Sequence, residues 1–265
     1  MIKSLAPPFV GILYSKGLNF LLPLVRSSDG YKNEKIINLV VQKNLAFRDA
    51  ISLNHVDDQF FRVAAAIGLV RTNKKAMRVL DFGGGAGHHQ SIATLAYPHL
   101  EFDWIVVETP ELVNVARQKI LATGLSFVPS LELLKYEKGF DLIHSNSAIQ
   151  YTSDPLATLE ELAHLDSSVI FLTRIPMSTS GDGINYNQVS KLSANGPGRP
   201  PLDFVDSRVS YPVTIPSRID VESVFEKSGF TWFVVDEGPW DPIRFGESVR
   251  TYSIIARSMK VISKD

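Results

Sequence analysis

Four glycines crowded between an apolar run and the start of a helical pattern constrain this chain more than any other feature. The stretch "RVLDFGGGAGHH" spans Arg78 to His89, with an acid, Asp81, near the end of the run and Gly83, Gly84, Gly85 and Gly87 behind it. Glycine has no side chain and tolerates positive φ, so a strand-to-helix turn made this way bares backbone N–H groups to a closely approaching ligand. The ligand-free alternative is a flexible turn. A dinucleotide fingerprint, G-x-G-x-x-G, needs a small residue three places after its second glycine. Counted from Gly83 and Gly85 that place is His88, which would crowd helix against strand. The spacing present is D-x-G-x-G-x-G, over Asp81, Gly83, Gly85 and Gly87, with Gly84 as an extra glycine.

The surroundings read as an α/β chain. Apolar residues recur three and four apart from Lys32 to Leu69, which predicts an N-terminal helical region over residues 1–74. From residue 75 onward short apolar runs alternate with helical stretches, the signature of a parallel sheet covered on both faces. Seven strands are expected: Arg78–Phe82, Asp103–Glu108, Ser126–Pro129, Phe140–Ser145, Ser168–Thr173, Thr231–Asp236 and Arg250–Arg257. No crossover helix fits between the last two, so they form an antiparallel pair at the end of the sheet. Helices are expected from Pro110 to Thr123, after the cap Asp154 with Pro155 behind it, and after Ser217, where Asp220 stands at capping-box spacing. The segment 174–213 is rich in turn formers and is expected to be a lid-like insertion or a disordered loop.

Composition removes several function classes. With 265 residues and 45% apolar residues the chain has ample core, and with no cysteine it has neither disulfides nor a thiolate metal site or nucleophile. No metal ligands are assigned. A net charge of −1 gives no general attraction to nucleic acid, and there is no basic run. The apolar start is broken by Pro7, Pro8, Lys16, Gly17 and Pro23, short of the roughly 18 unbroken residues of a spanning helix. It is expected to pack on the domain or to touch a membrane surface peripherally. The default reading is a cytoplasmic protein, for which a homodimer is an allowed state.

Beyond the glycine loop, "FDWIVVETPEL" ends a strand in Glu108, where nucleotide-binding folds place a carboxylate for ribose hydroxyls. "FDLIHSNSAIQYTSDP" supplies a further strand with Ser145 and Asn146 at its end. As a set these stretches resemble the class I S-adenosylmethionine-dependent methyltransferases. "LAPPF", "TRIP" and "YPVTIPS" extend the resemblance to a family of methyltransferases associated with surface-polysaccharide genes. The resemblance implies a seven-stranded, mostly parallel Rossmann-like methyltransferase sheet with an antiparallel end strand and an N-terminal helical extension. It implies S-adenosylmethionine as cofactor, S-adenosylhomocysteine as product, and a small-molecule or sugar-containing acceptor, with O-methylation favoured. Gln150 and Tyr151 stand where many relatives carry Glu-His, which removes a histidine base at that place.

On that basis the cofactor-binding candidates are Asp81, Phe82, Gly83, Gly84, Gly85, Gly87, Glu108, Ser130, Leu131, Ser145 and Asn146. Asp81 is expected to serve the cofactor's amino-acid end, Glu108 its ribose, and Ser130 and Leu131 its adenine. Methyl transfer from a sulfonium is an in-line displacement that needs alignment and desolvation more than a base, although an alcohol acceptor must still lose its proton. The catalytic candidates are His89, Arg174 and Tyr151, with Arg174 placed just past the fifth strand as a fork for an anionic acceptor. His144, inside a strand, is expected to be a satisfied core residue. The competing readings are a methyltransferase-like module that binds without catalysis, and a nicotinamide oxidoreductase.

Overall fold

In the computed structural model, which describes residues 24–26, 30–51, 58–70 and 75–259, two sheets carry the chain. The start of the chain, where a membrane contact is expected, lies outside the described residues. The elements run β1 (Leu24–Arg26), α1 (Glu34–Ala50), α2 (Asp58–Leu69), β2 (Ala76–Phe82), α3 (His88–Ala96), β3 (Glu101–Val107), α4 (Pro110–Lys119), β4 (Leu125–Val128) and β5 (Phe140–Asn146). They continue as α5 (Pro155–His164), β6 (Ser167–Ser178), β7 (Ile184–Lys191), β8 (Arg208–Ile215), α6 (Arg218–Lys227), β9 (Phe230–Pro239), α7 (Pro242–Phe245) and β10 (Val249–Ser258).

The main sheet has the order β4-β3-β2-β5-β6-β10-β9. Its first five strands are mutually parallel, and β10 runs antiparallel between β6 and the edge strand β9. All seven expected strands are present. Strand order reverses at β2, with β3 on one side and β5 on the other, which opens a crevice at the carboxyl ends of those strands.

The side-chain period of two divides the core between the two faces of the sheet. Met77, Val79, Trp104, Val106 and Leu142 join the core containing α1, α2, α3 and α4, whereas Leu80, Ile105, Val107 and Ile143 join the one containing α5 and α6. Local chemistry starts the helices where the sequence places them. Thr109 Oγ1 accepts from the Leu112 N–H with Pro110 next in line, Asp154 accepts from the Leu156 and Ala157 N–H groups, and Ser217 accepts from Asp220.

The segment 174–213 departs from the expected loop. Strand β6 continues to Ser178, and β7 and β8 form an antiparallel hairpin that joins β1 in a second, three-stranded sheet of order β1-β8-β7. Val209, Tyr211, Val213 and Ile215 alternate inward along β8 and are all buried, so the hairpin has its own apolar face on the core. Pro212 obscures this strand in the sequence. It is tolerated because, among the described residues, the pairing of β8 with β1 ends at Ser210.

Candidate active site

A cavity of about 860 Å³ opens at the carboxyl ends of β2, β3, β5 and β6, and the hairpin β7/β8 closes its far side. Gly83 and Gly85 lie on its wall with φ of 67° and 60°, a region costly for any residue with a Cβ. A Cβ on Gly83 would also stand 2.2 Å from that of Ala148. The backbone therefore approaches the cavity as closely as the sequence suggested.

Glu108 fixes the loop. Its Oε1 accepts from the Gly85 N–H at 3.0 Å and its Oε2 from the Thr109 N–H at 3.0 Å. Burial pushes its carboxyl up from the ordinary value, against those two donors. Ser130, Leu131, Phe82 and Asn146 share the same wall. Ser130 caps a turn over residues 131–134 by accepting from the Glu132 N–H.

Asp81 takes a different place from the one expected at the cofactor's amino-acid end. It is fully buried beneath the loop and does not line the cavity. Oδ2 accepts from His89 Nδ1 at 2.8 Å and from Trp104 Nε1 at 3.1 Å, and Oδ1 accepts from His144 Nδ1 at 3.0 Å. The register explains the convergence: Asp81 pairs with His144 across β2 and β5, so both side chains leave the same face of the sheet. Burial raises the Asp81 carboxyl, but His89 and the imidazole hydrogen bonds outweigh it and hold the group well below the usual carboxylate range. Gly84 belongs to this network rather than to the cavity, because a Cβ there would meet Asp81 Oδ2 at 2.3 Å. Gly87 and Ser145 also lie off the cavity wall. Gly87 begins α3 at φ 84°, against Leu125, and the buried Ser145 hydroxyl has no hydrogen-bond partner among the described residues.

His144 is the satisfied core residue the sequence suggested, while His89 reaches both ways. With its Nδ1–H donated to Asp81, its Nε2 is a lone-pair acceptor on the cavity floor, facing Gln59 Nε2 at 3.1 Å and Asn146 Nδ2 at 3.5 Å. The same Gln59 amide meets His88 Nε2 at 2.8 Å. Burial pushes His88 well below the ordinary imidazole value, and lowers His144 too. The Asp81, His89 and His144 ligand atoms lie within 4.8 Å of one another, a grouping that also suits a metal ion. Their hydrogen bonds to each other and to Trp104 already account for it.

The other half of the cavity is aromatic and polar. Tyr31, Tyr151 and Tyr211 meet at ring-centroid distances of 4.9, 5.1 and 5.3 Å, from three separate parts of the chain. Tyr151 donates to Gln188 Oε1 at 3.2 Å, and the Tyr211 and Ser190 hydroxyls share a hydrogen bond at 2.8 Å. Burial, then the neighbouring Tyr211, pushes the Tyr151 phenol far up, so it keeps its proton and is a wall and donor rather than a base. Arg174 lines this half too, from inside β6 rather than beyond it. Tyr31, Gln59 and Trp240 were missed in the sequence, where no local pattern separates them from ordinary helix or loop residues.

No family model matches the chain. It is 28% identical over 130 residues to malonyl-[acyl-carrier protein] O-methyltransferase 1 of Ilyobacter polytropus, an overlap of 48% of this chain and 47% of that protein. The match thus spans about half the length of that curated relative. Among solved structures it is similar to the N-terminal domain of EvdMO1 with SAH bound, at a TM-score of 0.52 and 18% identity, over 77% of this chain and 82% of the other. It is similar as well to SAM-bound CalS10, an amino pentose methyltransferase from Micromonospora echinaspora, at a TM-score of 0.50 and 17% identity, over 82% and 97% of the two chains. The fold is the Rossmann-like methyltransferase fold.

Proposed function

We propose that this chain is an S-adenosylmethionine-dependent methyltransferase that methylates a hydroxyl of a small, sugar-containing acceptor. The observation that carries the reading is the clamp of Gly85 and Thr109 N–H groups on Glu108, in a glycine cradle too tight for a Cβ at Gly83. That cradle fits an adenosyl group: Glu108 offers its remaining lone pairs to ribose hydroxyls, and Ser130 and Leu131 edge the base. Asn146 and the loop backbone serve the amino-acid end, a task Asp81 is too deeply buried to share. A relative named for acyl O-methyl transfer and a structural neighbour named for amino pentose methyl transfer support the reading, and so does the aromatic, hydroxyl-rich half of the cavity. An acceptor destined for surface polysaccharide accords with the sequence resemblance.

The bound cofactor would supply a methyl group already activated by a sulfonium charge. The chain's part is alignment, exclusion of water and removal of one proton. His89 is the proton acceptor: Asp81 holds it in the Nδ1–H tautomer and stabilises the imidazolium formed when Nε2 takes the hydroxyl proton. Gln59 and Asn146 hold the ring edge until the hydroxyl displaces an amide.

Titration calorimetry with S-adenosylmethionine, S-adenosylhomocysteine and NAD tests the reading. Binding of the first two without the third is expected. Binding of NAD alone would establish the oxidoreductase alternative. His89→Gln is expected to keep cofactor affinity and to lose about 10²- to 10⁴-fold in turnover.

A further inference from the structure

Two strained residues sit together in the acceptor half. Among the described residues, the non-glycine positions with positive φ are Ser147 at 53°, Arg174 at 54° and Asp241 at 37°, and the first two line the cavity. They are also joined, because the Ser147 N–H donates at 2.8 Å to the carbonyl of Thr173, the residue before Arg174. The pairing of β6 with β10 slips at this point: Tyr252 faces Ile175 and Ile254 faces Leu172, so Thr173 and Arg174 together oppose Ser253. Such a bulge turns a side chain out of the regular alternation, and strain of this kind gathers at functional sites.

The side chain turned out is Arg174, the exposed residue of an otherwise buried or half-buried β6. Its guanidinium has no hydrogen-bond or ion-pair partner among the described residues. It is also the one Lys or Arg among the described residues lining the cavity. Glu161 shares the wall without pairing to it, and Glu108 is committed to Gly85 and Thr109. The same cavity is lined by Tyr151, Gln188 and Trp240, which offer ring faces and hydrogen-bonding groups to a polar ring compound.

We infer that Arg174 is an anion seat in the acceptor half, and that the acceptor is a sugar-like ring bearing a carboxylate or phosphate group. The inference rests on the methyltransferase reading and names its substrate class. A planar guanidinium with free N–H groups binds either anion through two parallel hydrogen bonds. The bulge places it on the cavity wall, where it remains exposed to an incoming ligand.

The test uses the full chain saturated with S-adenosylhomocysteine and titrated with glucuronic acid, glucose 1-phosphate and glucose. At least one anionic sugar is expected to bind about tenfold or more tighter than glucose, and the two arms distinguish carboxylate from phosphate. Arg174→Gln and Arg174→Gly are expected to abolish that preference while leaving S-adenosylhomocysteine affinity within about twofold. Equal affinity for all three sugars, or binding of none, overturns the inference, as does a preference that survives in both variants. A loss of about tenfold or more in S-adenosylhomocysteine affinity in the variants also overturns it, by assigning Arg174 to the cofactor. Failure of the wild type to bind S-adenosylhomocysteine brings down the methyltransferase reading itself.

Discussion

Gly84→Ala separates a glycine kept for ligand approach from one kept for a buried carboxylate. Gly84 does not have positive φ, so alanine there meets no backbone penalty. In an indifferent site the exchange would stabilise the fold by about 0.4–1 kcal/mol through the unfolded state. Here the new Cβ would stand 2.3 Å from Asp81 Oδ2 and 2.5 Å from its Cγ. Relief needs a movement of about 1 Å, since carbon contacts settle near 3.5 Å. Such a shift breaks the bonds from His89 at 2.8 Å and Trp104 at 3.1 Å, because Oδ2 accepts both. Two hydrogen bonds to a charged acceptor are worth about 1.5–3 kcal/mol each, so the expected net loss is roughly 3 kcal/mol. Urea denaturation at neutral pH reads this as a lower midpoint with unchanged slope. In an Asp81→Ala background the same Gly84→Ala exchange should become neutral or stabilising. A neutral single variant, or an equal loss in both backgrounds, would refute the steric account.

Glu108→Gln should weaken S-adenosylhomocysteine binding about 10- to 100-fold by calorimetry, the cost of a hydrogen bond to a charged group. It should also lower stability by about 1.5–3 kcal/mol, because the new NH2 faces one of the Gly85 and Thr109 N–H donors. Stability should fall as pH drops below about 6.5, because His88 and His144 are depressed in the fold while the unfolded chain takes up their protons near that value. Two such groups give a limiting slope of about 2.7 kcal/mol per pH unit, with no contribution above pH 6.5; urea midpoints that stay flat from pH 8 to 5.5 would contradict it. Arg174→Gly should raise the thermal midpoint, by an amount equivalent to roughly 1 kcal/mol of relieved left-handed strain, and a lowered midpoint would mean that the side chain supports the fold.

The sheet was legible because its strands are apolar runs punctuated by caps and glycines, signals that act within a few residues. Thr109, Asp154 and Ser217 each start a helix by chemistry visible in four letters. What escaped depends on which side chains leave the same face of different strands. Asp81 reads as a ligand contact in the motif, but its register beside His144 and the reach of Trp104 turn it inward. The hairpin β7/β8 was hidden by Pro212 and by the polar, half-exposed alternation of "INYNQVSK", even though Tyr211, Val213 and Ile215 carried a period of two. Arg174 lies on a bulge inside β6 rather than past its end, and a bulge has no local signature in a single sequence.

The most direct test of the central claim is calorimetric titration of the wild-type chain with S-adenosylhomocysteine, alongside Glu108→Ala. Saturable binding at one site per chain is predicted, lost or strongly weakened in the variant. No binding to the wild type, or binding indifferent to the loss of Glu108, would contradict the account.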